Sequence, residues 1–224
     1  MWVGVGEANP DVTLIAGEPQ HSIVGIRFAH ASLPGEQSMT PLAQLWLPIV
    51  LSAVFVFIAS ALLNMVLKFW HMPDSRGFSN EDAVRAAIRG GTTGPGMYML
   101  PFCKPETMKQ PEMQEKFRQG PNALVLVRPN GQANLGAYLG QWFAFCVLVS
   151  LFCALLGSHV LPVGAPFMHV CRLIGLAAIM GYAFGAIPNA IWWGHPWGSA
   201  IKHFIDGVVY AAISAATFAW LWPA

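Results

Sequence analysis

Hydrophobic and polar positions along this chain fall into blocks. Four stretches free of Asp, Glu, Lys and Arg run over residues 37–67, 129–171, 173–201 and 207–224. A bilayer core about 30 Å thick needs roughly 20 apolar residues at a helical rise of about 1.5 Å each, and each stretch can hold one such span. The pattern predicts helices near Leu45–Phe69, Tyr138–His159, Phe167–Ile187 and Ala200–Trp222. Helices are required because lipid offers no partner for open backbone groups. The expected fold is therefore an all-α membrane protein of four transmembrane helices, with a small mixed α/β cytoplasmic insertion between the first and second. The chain divides into a polar N-terminal tail (1–38), transmembrane helix 1 (39–70), the insertion (71–137) and transmembrane helices 2–4 (138–224).

Composition supports the solvent that the pattern implies. Only 10% of residues are charged and 55% are hydrophobic, where a soluble domain has about 25% and 45–50%. A net charge of +1 supplies no basic field for nucleic acid, and the chain is too apolar for intrinsic disorder. Of the charged residues, 15 lie between Lys68 and Arg128, and eight Lys or Arg fall between Arg76 and Arg128. That segment is expected in the cytoplasm. Alternation then puts both termini and the Val160–Pro166 turn in the periplasm, and the Pro188–Ser199 connection inside, as a multi-pass protein of the bacterial inner membrane. Lys202 agrees with this orientation and Arg172 opposes it.

Residues 1–38 are polar and acidic, without a basic n-region or apolar h-region, so they do not read as a signal peptide. They fit either a disordered tail or an over-long gene start. The four cysteines show no CxxC spacing and imply no disulfide framework.

Within the insertion, Ser79-Asn80-Glu81-Asp82 reads as a helix start that Gly90-Gly91 ends, and Pro111–Arg118 reads as a second helix stopped by Gly120-Pro121. Met97–Leu100 and Ala123–Val127 have the character of short strands. The run Gly90–Gly96 lacks the Lys and the Ser or Thr in register that a phosphate loop needs. Met97, Met99, Cys103, Met108 and Met113 offer soft ligands for Cu(I), but their irregular spacing favours adaptable packing.

Polar groups inside the spans are the strongest functional candidates, since an ionisable side chain in a bilayer is expensive. In the last helix Ser199, His203, Asp206, Tyr210 and Thr217 share one stripe, with Lys202 a turn before Asp206. In the first, Ser60, Asn64 and Lys68 repeat every four residues. The two stripes belong to the same half of the membrane, which predicts that Asp206 meets Asn64 or Lys68, or ties to Lys202. As chemistry the stripe suggests a proton or ion relay; as structure it is an interhelical tie, and the lack of a second carboxylate in the spans favours the tie. His159, His169 and Arg172 complete no zinc motif, so neither a metal nor a cofactor is expected.

Packing signals are plainer. Gly207, Ala211, Ala215 and Ala219 form a small-residue stripe on the fourth helix, and Gly181 with Gly185 gives GxxxG on the third. Such faces let helices approach closely, either within the chain or against a protein partner or a second copy.

The residues Ile191-Trp192, Gly194, Pro196-Trp197, Asp206-Gly207, Tyr210, Phe218 and Trp220-Leu221-Trp222-Pro223 resemble a group of small uncharacterised bacterial integral membrane proteins. The resemblance extends from Met39 through most of the chain; it implies bacterial origin and this architecture, and no activity. No nucleophile–base pair, paired carboxylates or nucleotide loop points to an enzyme. The expected role is an accessory, assembly or interaction component of a membrane complex, with the lipid bilayer and a protein as partners. The alternative is a proton-linked small-solute transporter or channel subunit using Asp206 and His203.

Overall fold

The computed structural model describes residues 38–224, so the N-terminal tract lies outside the described residues, apart from Ser38. Among the described residues, three helical stretches are long and apolar enough to cross a membrane: Leu42–Val66, Leu135–Val160 and Phe167–Trp193, of 25, 26 and 27 residues. The first is a short 3-10 turn, helix α1 (Trp46–Ala61) and a π-helical turn at Leu62–Val66. It is followed by a short α2 (Lys68–His71). The second is α5 (Leu135–Val160); the third is α6 (Phe167–Tyr182) continued by α7 (Ala186–Trp193). The fourth expected stretch is helical, as α8 (Trp197–Trp220). It is not among the stretches apolar enough to qualify, because Lys202, His203 and Asp206 dilute its first turns.

Helices α1, α5, α6 and α8 form an antiparallel ring in which α8 closes back on α1. Its outer face is apolar, unlike that of an aqueous globule. Ser52, Ser60, Ser150, Ser158, Ser214 and Thr217 are buried, while Phe145, Leu148, Phe152 and Leu156 on α5 and Ile201, Ile205, Val208 and Val209 on α8 face outward. An apolar belt of this extent fits a lipid environment and far exceeds the patches soluble monomers expose. The interior serines link helices: Ser150 Oγ donates to Ser52 Oγ at 3.3 Å, and Trp142 Nε1 donates to Ser60 Oγ at 2.7 Å.

The small-residue stripe of α8 is occupied within the chain. A Cβ on Gly207 would lie 2.6–2.7 Å from the Cα, Cβ and N of Ala183, and Gly175 of α6 faces Ala215. The turn between α7 and α8 is only three residues, Gly194 to Pro196, and sends α8 straight back along the preceding helix. The expected protein partner therefore does not have this face at its disposal. A Cβ on Gly181 would instead lie 3.0 Å from Val149 Cγ1 on α5, and among the described residues one on Gly185 would meet nothing within 4 Å, so within the chain the GxxxG pair does not act as one contact surface.

Several expected boundaries move; helices 2 and 4 begin three residues early, at Leu135 and Trp197. Helix 3 does not end at Ile187 but runs to Trp193, because Pro188 sits in the first turn of α7, where a missing N–H costs nothing. Gly194 then ends α7 in the left-handed region at φ 68°. Helix 1 stops short of Phe69, since Leu67 (φ −83°, ψ 63°) leaves the helical region.

One end of the ring is closed by three chain segments. Thr40 N and Oγ1 both donate to Leu161 O, Val163 N donates to Ser38 O, Gly164 N donates to Pro223 O, and Trp222 Nε1 donates to Pro162 O at 3.0 Å. Behind them Leu45, Cys153, Val170, Ile174, Phe218 and Trp222 fill the interior.

The insertion carries α3 (Glu81–Gly91), β1 (Gly96–Leu100), α4 (Pro111–Gln119) and β2 (Ala123–Val127). Asn80 caps α3 by accepting from Ala83 N at 3.3 Å. The strands pair antiparallel with Tyr98 opposite Val125.

Candidate functional site

The opposite end of the ring is hollow. A cavity of about 640 Å³ opens between α1, α5, α7 and α8, lined by Ser60, Asn64, Trp142, Tyr182, Asp206 and Tyr210 among others. A second space of about 510 Å³ lies beyond it, where Leu124 and Leu126 of β2 stand over His71, Asp74 and Ser199. Asn64, His195 and His203 line both.

Helix α8 brings the acid and one imidazole. Its periodicity puts His203, Asp206 and Tyr210 on one face, and Asp206 is 4% exposed. A carboxylate so buried has to be met by donors. These come from the end of the first span. Trp70 Nε1 donates to Asp206 Oδ1 at 2.8 Å, and His71 Nε2 lies 2.6 Å from Asp206 Oδ2. The other ring nitrogen, Nδ1, is 3.5 Å from Asp74 Oδ2, so one imidazole stands between two carboxylates. The His203 ring stacks on that of His71 at 4.7 Å and 18°.

Lys202 fastens the same turn. Its Nζ donates to Trp70 O at 2.7 Å and to Asp74 Oδ1 at 2.6 Å, and it lies 5.7 Å from the Trp70 ring centroid. The ammonium beside Asp74 holds that carboxyl below its usual range, against the opposing effect of desolvation. Asp74 and Asp206 against Lys202 leave one net negative charge on these three groups. Deeper in, Asn64 Nδ2 donates to Tyr210 OH at 3.2 Å and to Ser60 O at 3.0 Å. Trp142, Phe145, Tyr182 and Tyr210 form an aromatic wall, with ring centroids 5.5–6.5 Å apart.

Of the residues singled out from sequence, Asp206, His203, Tyr210 and Asn64 meet at this cavity, and Lys202 braces its edge. Lys68 does not join them; it is exposed. The partners of the Asp206 carboxylate are Trp70 and His71, in place of the expected Asn64, Lys68 or Lys202. The π-helical turn is the reason. It adds a residue to the turn, so the four-residue repeat that includes Ser60 and Asn64 loses register before Lys68, and the break at Leu67 swings Trp70 and His71 onto α8 instead.

Four contributors escaped the sequence pattern: Trp70, His71, Asp74 and His195. The spacing of His71 and Asp74, three apart and flanking Pro73, was the one available signal. It also supplies the second carboxylate that the spans themselves lack. The chain matches no family model, no curated protein and no solved structure, so a function has to be built from the chemistry of these side chains.

Proposed function

We propose that this is a four-span protein of the bacterial inner membrane that holds a small polar ligand or ion in a chamber open at one end, as an accessory component of a membrane complex. The observation that carries this reading is the contrast along a single helix. Asp206 and His203 border a cavity of about 640 Å³, with His71 on the Asp206 carboxylate, while the other half of α8 is packed solid around Phe218. A chamber sealed on one side favours holding a ligand over conducting it. Buried ionisable groups in a membrane helix usually mark such a site.

The outward face of α8 supports its role as the fourth span. Ile201, Ile205, Val208, Val209, Ala212, Ala216 and Trp220 are exposed and all are apolar. The many Lys and Arg of the insertion support a cytoplasmic mouth for the chamber and periplasmic termini. A periplasmic reporter fused after Ala224 is expected to be active, and a cytoplasmic readout would reverse the orientation.

The decisive experiment is native mass spectrometry of protein released from mild detergent. A bound small species is expected in the wild type and absent in Asp206→Asn. A wild type that is bare under all extraction conditions would overturn the reading. Solute flux in proteoliposomes that disappears in Asp206→Asn would replace it with a transporter or channel subunit.

A further inference from the structure

We infer that His71, His203 and Asp206 form a binding site for one divalent transition-metal ion of the zinc type. This rests on the chamber reading and names its ligand.

The three residues offer ligand atoms that all lie within 4.8 Å of one another, and His71 Nε2 and Asp206 Oδ2 are 2.6 Å apart. Around a tetrahedral ion with bonds of about 2.0–2.2 Å, neighbouring ligand atoms sit roughly 3.3 Å apart. Small side-chain movements close the difference. His203 and Asp206 stand three apart on α8, where side chains share a face. His203 is exposed, and among the described residues no hydrogen bond holds its ring nitrogens. It is free to turn toward an ion between His71 and Asp206.

The groups behind these ligands are those a metal requires. A histidine bound through Nε2 carries its proton on Nδ1 and gives it to an acceptor, commonly a carboxylate. Here Asp74 Oδ2 faces His71 Nδ1 at 3.5 Å, and among the described residues it is buried without a hydrogen-bond partner. Binding of an ion at Nε2 supplies the missing donor. Trp70 Nε1 occupies Asp206 Oδ1, which leaves Oδ2 as a single ligand atom. Lys202 neutralises Asp74, so the net charge of −1 on the site's acids and lysine becomes +1 with a divalent ion, half the charge that the ion would leave at a neutral site.

The donor set fixes the class of ion. Two imidazoles and one carboxylate suit zinc and its neighbours, whereas magnesium and calcium prefer oxygen cages. Cu(I) prefers sulfur, and Met99, Cys103 and Met108 line a different space, against Trp192 and Trp193. Three protein ligands leave a fourth position, and His195 lines the same two spaces as His203. A site completed by a water or a ligand from the chamber follows.

The test uses full-length protein in detergent, stripped with a chelator and titrated with Zn²⁺, and with Co²⁺ as a coloured probe. One ion per chain is expected, with the strong visible absorption of four-coordinate cobalt and no competition from excess Mg²⁺. His203→Ala removes an exposed side chain and should leave the size-exclusion profile unchanged while weakening affinity at least 100-fold. Asp74→Asn, which acts through His71, should weaken it about 10–100-fold. No bound ion in the wild type, binding unaffected by both His71→Ala and His203→Ala, or equal competition by Mg²⁺ would each overturn the inference. If an organic species is retained in an Asp206-dependent way and zinc is not, the metal falls and the chamber stands. If neither is retained, both fall.

Discussion

The two ends of this bundle are made from the same four helices and have opposite contents. At one end Leu45, Ile174, Phe218 and Trp222 exclude everything else, and the backbone of three segments is laced together. At the other, Asn64, His71, Asp206 and Tyr210 surround open space. Helix α8 passes through both, small and aromatic from Gly207 to Phe218, ionisable from Lys202 to Asp206. The difference shows how a chain of this size carries a costly polar cluster in lipid. Stability is concentrated where nothing has to bind, which leaves the other end able to hold groups that would otherwise be replaced by packed hydrocarbon.

The comparison is broken most directly at Phe218, whose side chain is fully buried. Lipid tails are as apolar as the protein interior, so the loss on truncation is mainly packing, not transfer from water. Phe218→Ala should therefore cost about 3 kcal/mol, the low end of the range for buried aromatics. Reversible unfolding in mixed micelles measures it, and a change below about 1 kcal/mol would mean that the sealed end is not where stability resides.

Gly207 marks the border between the halves. Its missing Cβ would strike the backbone of Ala183 at 2.6–2.7 Å, and backbone cannot step aside. Gly207→Ala should cost about 2 kcal/mol, as over-packing does. At Gly181 the obstacle is the Val149 methyls at 3.0–3.2 Å, which can rotate, and at Gly185 no atom lies within 4 Å. Gly181→Ala should cost less than about 1 kcal/mol, and Gly185→Ala should be within about 0.5 kcal/mol of neutral. Equal losses at all three would indicate that Gly185 is covered by a partner.

Trp222 tests the lacing itself. Its Nε1 donates to Pro162 O at 3.0 Å, joining the last residues to the α5–α6 turn. Trp222→Phe should lower stability by more than about 1 kcal/mol, because it removes this bond together with the Cη2 and Cζ3 edge of the indole that lies over Gly157. Hydrogen exchange at Gly164, whose N–H bonds to Pro223 O, should rise in the same variant.

How much of this was legible in the sequence follows the physics of each element. Uncharged blocks reveal lipid-crossing helices because a bilayer sets their length, and Asn80, Gly91 and Gly120 mark helix ends through local backbone chemistry. The stripe of His203, Asp206 and Tyr210 could be read because α8 is a regular helix. Lys68 could not be placed, since periodicity assumes 3.6 residues per turn and a π-helical turn intervenes. His71 and Asp74 belong to a chain reversal, where no period applies, and their meeting with α8 is a tertiary fact. The partner of the small-residue stripe was equally hidden, because Gly207 and Ala215 announce a close approach without naming the helix that makes it.

The smallest stability effect is expected at the hollow end and sharpens the comparison most. His203 is exposed, and its packing is a stack on the His71 ring at 4.7 Å. Replacing it with alanine removes neither a buried group nor a hydrogen bond, and substitutions of that kind usually stay within about 0.5 kcal/mol. Asp206 keeps Trp70 and His71, so no buried charge is orphaned in the variant. His203→Ala should therefore unfold at the same denaturant concentration as the wild type in the absence of zinc. With zinc above the wild type's dissociation constant and below the variant's, the wild type alone should gain, because an ion that binds only the folded chain adds stability in proportion to the logarithm of its concentration over the dissociation constant. A loss in His203→Ala as large as in Phe218→Ala in the absence of zinc would mean that the polar end also supports the fold and that the two ends are not divided between stability and binding.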